Sequence, residues 1–243
     1  MTRLAEYMRE QLPLIQEGME HSLPRTFTST TVAELLSKPS FIDKEQDWSF
    51  IAASPFYELA DRGGKRLRPL LTVLTHELVG GTRDDIYRLA AIPELIHTGS
   101  LLVDDIEDDS QTRREKPCVH KLFGVAQTIN AGNALYFLPQ NVVANSDLPD
   151  STKLRIYQLF IKELSTIHLG QGLDIKWGQS RQYDVGVDEY LQMCSYKTGC
   201  LLRIALSMGV MAAGNEDIDM QKIDKLGTNM GIAFQIRDDI LNL

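Results

Sequence analysis

Leu101-Leu102-Val103-Asp104-Asp105-Ile106-Glu107-Asp108-Asp109-Ser110 runs from apolar residues straight into five carboxylates within six positions. Read as a helix, it sets Asp104 and Asp108 one turn apart on one face, and His97, seven residues before Asp104, extends the same stripe. Carboxylates at i and i+4 cost a helix about 0.2–0.5 kcal/mol per pair, and late in a helix they also meet the negative end of its dipole. Something positive should offset them. Taken alone, such a run reads more simply as a solvated acidic turn, so the flanking chain has to decide.

Upstream, Asp84-Asp85 opens a helix whose Leu89, Ile92, Leu95, Ile96 and Leu102 recur at helical spacing up to the acids, with a kink expected at Pro93. Before it, Asp61-Arg62-Gly63-Gly64-Lys65-Arg66-Leu67-Arg68-Pro69 leads into a helix predicted over 70–79. Glycine lets backbone approach an anion, and Lys65 and Arg68, three apart, would share a side beside that helix N-terminus, a place suited to a phosphate. The same residues can equally form a basic helix start with no ligand. At the N-terminus, Leu4, Met8, Leu12 and Ile15 predict an amphipathic helix over 2–19 that contains Pro13. Residues 22–48 read as a connector with a short helix at 31–37.

Downstream, Thr112-Arg113-Arg114 places two cations a few residues past the acids. Residues 125–143 predict a closely packed helix around Ala131, Gly132, Ala134 and Leu135. A long helix over 154–176 carries Gln171 and Asp174 as polar exceptions within Gly170-Gln171-Gly172-Leu173-Asp174. Another over 188–211 holds Lys197-Thr198-Gly199, and 220–243 forms the last. No alternation of period two persists and no internal repeat is visible, so the fold class is all-α, in a single domain over 1–243.

The last helix repeats the opening theme. In Phe234-Gln235-Ile236-Arg237-Asp238-Asp239-Ile240-Leu241-Asn242 the spacing of Asp238, Asp239 and Asn242 matches that of Asp104, Asp105 and Asp108. Two oxygen-ligand clusters of equal spacing, with separate Lys/Arg clusters, suit Mg²⁺ ions bridging to a polyphosphate, because Mg²⁺ takes few protein carboxylates and completes its shell with phosphate and water. There is no His/Cys set for zinc and no GxxxxGK[ST] loop for a nucleotide hydrolase.

Composition bounds the rest. A chain of 243 residues, 43% hydrophobic and 24% charged, is ordinary globular material, and its net charge of -8 argues against a nucleic-acid surface. Cys118, Cys194 and Cys200 form no CxxC pair and leave an odd count, which fits reduced thiols in a cytoplasmic setting. No long apolar run predicts a transmembrane segment, and Glu6, Glu10, Glu17 and Glu20 are unlike a signal peptide.

From about Phe56 onward the order and spacing of these motifs resemble the trans-isoprenyl diphosphate synthases, or polyprenyl synthetases. The likeness rests on Gly63 to Pro69, on Asp104-Asp105-Ile106-Glu107-Asp108 with Arg113-Arg114, on Gly170 to Asp174, on Lys197-Thr198-Gly199 and on Phe234 to Asp239. Gly170 to Trp177 and Asp238 to Leu243 look most like geranylgeranyl diphosphate synthases of the eukaryotic kind. The resemblance implies a helical bundle of the isoprenoid-synthase type, usually a homodimer, around a deep central cavity. It implies that Asp104, Asp108 and Asp238 ligate Mg²⁺ holding an allylic prenyl diphosphate, that Asp105 and Asp239 support them, and that Gln171, Asp174 and Gln235 order the ions' waters, with Asn242 a weaker ligand. Arg113, Lys197 and Thr198 would contact the allylic diphosphate or departing pyrophosphate. Lys65, Arg68, His97 and Arg114, with the backbone near Gly64, would bind isopentenyl diphosphate. Gly99 and Ser100, small residues just before the first motif, would line the cavity and permit a product of C20 or longer, geranylgeranyl diphosphate first. Family members usually continue past the second motif, so the chain reads as truncated there. A catalytically silent regulatory subunit and a terpene cyclase are the alternatives. The intact motifs weigh against the first and the second diphosphate site against the other.

Overall fold

The computed structural model describes residues 3–35, 47–180 and 184–241. Its helices in chain order are α1 (Arg3–Ser22), α2 (Ser29–Leu35), α3 (Ser54–Ala60), α4 (Leu67–Leu78), α5 (Ile86–Glu107), α6 (Val119–Phe123), α7 (Val125–Phe137), α8 (Gln140–Ala144), α9 (Asp150–Ser180), α10 (Val187–Cys194), α11 (Cys200–Ala213) and α12 (Met220–Leu241), with π-helical turns at Ser49–Ala53 and Ser195–Gly199. The all-α class holds. The one ladder among the described residues is two residues long on each side, β1 (Thr112–Arg113) against β2 (Lys116–Pro117).

Helix α5 is apolar nearly all round, and a helix of that kind must be enclosed. Its Leu89, Ile92 and Ile96 join one core with Val73 of α4, Phe160 of α9 and Ile204 and Met208 of α11. Its Ala91, Leu95 and Leu102 join a second core with Ile15 and Met19 of α1, Phe56 and Leu59 of α3 and Leu135 of α7. Each fully enclosed Leu, Ile or Phe contributes about 1.5–3 kcal/mol, which is what holds α5 at the centre. Helix α11 is likewise buried along most of its length, between α4, α5, α9 and α12.

Three expectations are revised. The stretch 125–143 is two helices, because Pro139 between α7 and α8 has no N–H to continue the ladder. The stretch 188–211 is interrupted by the π-helical turn Ser195–Gly199, which carries the Lys197-Thr198 pair. Helix α4 begins at Leu67, so Lys65 precedes it and shares no helical face with Arg68; Arg66 caps α4 in the left-handed region with φ 47°. Helix α5 continues through Pro93, whose missing N–H removes one ladder bond. The end of the short helix expected at 31–37, and Asn242, lie outside the described residues.

Candidate active site

A cavity of about 580 Å³ opens between the C-terminal half of α5, the start of α4, the middle of α9, the Ser195–Gly199 turn and the end of α12. Its acidic side is set by how the chain leaves α5. Arg114 and Glu115, with φ of 53° and 65°, both occupy the left-handed region and turn β1 back on β2. Two positive φ values in a two-residue loop are what a tight hairpin demands, and the turn returns Arg113 to the acids. Arg113 donates from Nε to Asp105 Oδ1 at 2.6 Å and from Nη2 to Asp104 Oδ2 at 3.4 Å. Asp105 is 1% exposed and faces Arg113, whereas Asp104 lines the cavity.

Asp104 is held from three directions. Besides Arg113, it accepts on Oδ1 from Gln171 Nε2 at 2.9 Å and from Lys197 Nζ at 3.3 Å. Lys197 donates at 2.6 Å to Asp174 Oδ2 as well, so its ammonium bridges α5 and α9. Burial works against that charge, but Asp104 and Asp174 outweigh it and hold the amine above its ordinary value. The bridge requires close backbone approach: a Cβ on Gly170 would lie 2.4 Å from the Lys197 backbone nitrogen. Asp108, the C-cap of α5, is exposed and is not among the residues that line the cavity, although Asp104, Lys197 and Asp174 are its charged neighbours. Partial loss of solvent around its carboxyl group, then the neighbouring Asp104, raise it above its ordinary value.

On α12, Gln235, Asp238 and Asp239 line the opposite wall. Thr198 donates to Gln235 Oε1, Gln235 Nε2 donates at 2.9 Å to Asp239 Oδ1, and Tyr190 donates its hydroxyl to Asp239 Oδ2. The end of α12 is thereby tied to α10 and to the π-helical turn.

The cationic side gathers Lys65, Arg66, Arg68, His97 and Arg114 at the same cavity, next to Gly64. Arg114 donates to the carbonyls of Leu59, at 3.3 Å, and Gly63, which fixes it under the glycine loop. Arg66 pairs at 2.9 Å with Glu94, the carboxylate on this side of the cavity, and both are nearly buried. Arg68 Nε is buried with no hydrogen-bond partner, an unmet donor in a cradle of cations. Burial first, and then Arg68 and Arg114, push His97 well below its ordinary value, so it is neutral at pH 7. Such a cluster is costly without an anion, and a phosphate would satisfy it.

The expected site residues converge on one cavity or its rim, with exceptions. Asp105 points into an ion pair rather than into the cavity. Gly99 does not line the cavity: it is buried against α7, where a Cβ would meet Leu135 Cβ at 2.7 Å and the Gly132 carbonyl at 2.8 Å. Ser100, one position on, does line it. Val103, Tyr136, Ile167 and His168 line the same cavity, with the rings of Tyr136 and His168 5.2 Å apart. Glu94, Glu107 and Tyr190 are additions. Glu107 lines the cavity and accepts from Gln171 at 2.8 Å. A lone carboxylate inside the apolar run 89–96 was the one sequence signal for Glu94.

Among the described residues, no three His, Cys, Asp or Glu side chains converge on a single point. Asp104 of α5 and Asp238 of α12 instead line the same cavity, with Asp108 close to Asp104 at the end of α5. That arrangement fits Mg²⁺, which takes one or two carboxylates and completes an octahedron with phosphate and water.

A model of the polyprenyl synthetase family matches residues 51–243. The chain belongs to that family. It is 38% identical over 189 residues to a geranylgeranyl diphosphate synthase of Sulfolobus acidocaldarius, covering 77% of this chain and 57% of that protein. It is 37% identical over 194 residues to a geranylgeranyl pyrophosphate synthase of Claviceps paspali, covering 79% and 55%. The chain thus spans little more than half the length of these relatives. Among solved structures, geranylgeranyl pyrophosphate synthetase from Pyrococcus horikoshii superposes with a TM-score of 0.81 at 29% identity, covering 100% of this chain and 68% of that one. A decaprenyl diphosphate synthase from Rhodobacter capsulatus gives 0.77 at 26% identity, covering 98% and 65%.

Proposed function

We propose that the full-length protein is an Mg²⁺-dependent trans-prenyltransferase that condenses isopentenyl diphosphate with an allylic prenyl diphosphate. One observation carries this reading: a single cavity has a carboxylate wall, a separate cation cradle and an apolar part. Two diphosphates of opposite role need two such polar sites, and a growing hydrocarbon needs the third.

In this reading Asp104, Asp108 and Asp238 hold Mg²⁺, with Gln171, Asp174 and Asp239 ordering its surroundings. Bound there, Mg²⁺ supplies positive charge to the departing pyrophosphate. Lys197, Thr198 and Arg113 hold that leaving group by direct hydrogen bonds as the allylic C–O bond breaks, and the preorganised charges stabilise it. Lys65, Arg68 and Arg114 fix the isopentenyl diphosphate so that its double bond faces the allylic carbocation, with neutral His97 as a hydrogen-bonding neighbour. Val103, Tyr136 and Ile167 keep water from the cation. A new C–C bond forms, and a proton then leaves the condensed product for pyrophosphate, the strongest base at hand.

The small Ser100 supports a product of C20 or longer, geranylgeranyl diphosphate first. A homodimer is supported by Val125, Ile129 and Phe137, exposed apolar residues at four- and eight-residue spacing along α7. A cytoplasmic location is supported by three buried free thiols, and among the described residues no helix is long and apolar enough to cross a membrane. The decisive experiment incubates the full-length protein with Mg²⁺, isopentenyl diphosphate and each of dimethylallyl, geranyl and farnesyl diphosphates, with products resolved by mass spectrometry. Product of C20 or longer is expected. No elongation of any primer would refute the reading.

A further inference from the structure

Arg203 on α11 reaches none of the cavity surface, yet it is the most heavily engaged cation behind it. It is 5% exposed. Nε and Nη2 donate to Glu163 Oε2 of α9, at 2.8 and 2.5 Å, and Nη1 donates to the Ser195 carbonyl at 3.1 Å, to Ser195 Oγ at 3.3 Å and to Thr228 Oγ1 of α12 at 3.2 Å. Glu163 is fully buried. One guanidinium therefore joins α9, the first residue of the π-helical turn, and α12.

Those elements are the ones that carry the leaving-group machinery. The turn presents Lys197 and Thr198 two and three residues beyond Ser195. Helix α12 presents Gln235 and Asp238 about two and three turns beyond Thr228. Around the guanidinium the backbones nearly touch: a Cβ on Gly231 would lie 2.3 Å from Gly199 Cα, and one on Gly227 would lie 2.9 Å from Arg203 Cα. A π-helical turn is wider than an α turn and is seldom kept without a functional reason. A buried ion pair is a poor source of stability, since well-packed apolar residues of like volume often serve as well or better. What apolar residues cannot supply is a planar fork with two donors on Glu163 and a third on Ser195 and Thr228.

We infer that Arg203 is a positioning residue for prenyl transfer: it sets the π-helical turn, and with it Lys197 and Thr198, in register with Asp104 and with the carboxylates of α12. This rests on the transferase reading above. Geometric errors of about 1 Å at a reacting centre cost on the order of a hundredfold in rate, so loss of the fork lowers kcat. The isopentenyl cradle of Lys65, Arg68 and Arg114 lies on other elements and keeps its affinity.

The test uses the full-length protein and three variants: Arg203→Lys, Thr228→Val, and the double replacement Arg203→Leu with Glu163→Leu. The double variant removes both charges together and so avoids a stranded Glu163, and it is expected to melt near the wild-type temperature while kcat falls on the order of tenfold to a hundredfold. The KM for isopentenyl diphosphate should stay within about twofold of wild type in all three. A double variant that melts normally with wild-type kcat overturns the proposal. If the double variant does not fold, Thr228→Val and Arg203→Lys decide: a lowered kcat with unchanged isopentenyl KM supports positioning, and wild-type kcat in both overturns it. Crystal structures of wild type and Arg203→Lys answer independently of turnover. Displacement of Lys197 Nζ from Asp104 and Asp174 supports the proposal, and its retention overturns it. Should the wild-type protein itself transfer no prenyl group, the functional reading fails, and the crystal structures alone judge the role of Arg203.

Discussion

Glu94→Gln should lower the melting temperature of the protein while making its cation cradle a better trap for pyrophosphate. The carboxylate and its partner Arg66 have side chains 5% and 10% exposed and lie 2.9 Å apart. Removing one member of a buried pair costs about 3–5 kcal/mol, mostly because the surviving charge is left uncompensated. Gln retains Oε1 as an acceptor for Arg66 Nη1, which puts the cost near the lower end, about 3 kcal/mol. At about 2–4 °C per kcal/mol for a chain of this size, melting should fall by about 6–12 °C. The same substitution deletes the negative charge that competes with an incoming anion, so pyrophosphate without Mg²⁺, which leaves the carboxylate side unfilled, should raise the variant's melting temperature by more than it raises that of wild type. Scanning calorimetry with and without pyrophosphate measures both effects. Melting within about 2 °C of wild type, or a smaller ligand-induced rise than in wild type, would refute this account of the cradle.

Asp104→Ala and Asp238→Ala should each lower kcat by on the order of 10²–10³ in steady-state assays of the full-length protein; near-normal turnover in either sinks the metal assignment. Ser100→Phe should shorten the main product and Tyr136→Ala lengthen it, because the first fills and the second opens the cavity, and chromatography of the products with both lengths unchanged would show that the wall lies elsewhere. His97 is held well below its ordinary 6.5, so the folded protein binds fewer protons than the unfolded chain below about pH 6.5, and stability is lost as pH falls through that value. His97→Gln should flatten this acid-side decline in thermal melts taken from pH 7 downward to about pH 5, and an unchanged slope would mean that His97 titrates normally in the fold.

Much of this was readable because its signals are local. Helical periodicity is written within each segment, so α5, α9 and α12 were anticipated within a few residues, and the matched spacing of Asp104-Asp105 and Asp238-Asp239 pointed to the two carboxylate walls. What the sequence hid depends on long-range return of the chain. Which of Asp104 and Asp105 faces the cavity is decided by Arg113, and Arg113 returns only because Arg114 and Glu115 adopt positive φ, which neither residue type advertises. The Arg66–Glu94 pair joins residues 28 apart. Gly99 and Ser100 could not both face the cavity, since neighbours on a helix point about 100° apart. Only the packing of α7 told which one turned away.

The glycine contacts around the cavity have a consequence for how such a protein can diverge. Gly170 meets the backbone of Lys197, Gly231 that of Gly199, and Gly99 that of Gly132. The joints at Gly170 and Gly231 are made chiefly main chain to main chain, so their spacing depends little on the volume of nearby side chains, whereas Leu135 Cβ and Val103 Cγ2 also pack into the Gly99–Gly132 joint. Mutations in the apolar wall at Tyr136 or Ile167 can therefore accumulate without moving the charged rows. Substrate size and reaction chemistry become separately heritable traits, and a lineage could explore longer or shorter hydrocarbons while its diphosphate-handling apparatus stays fixed.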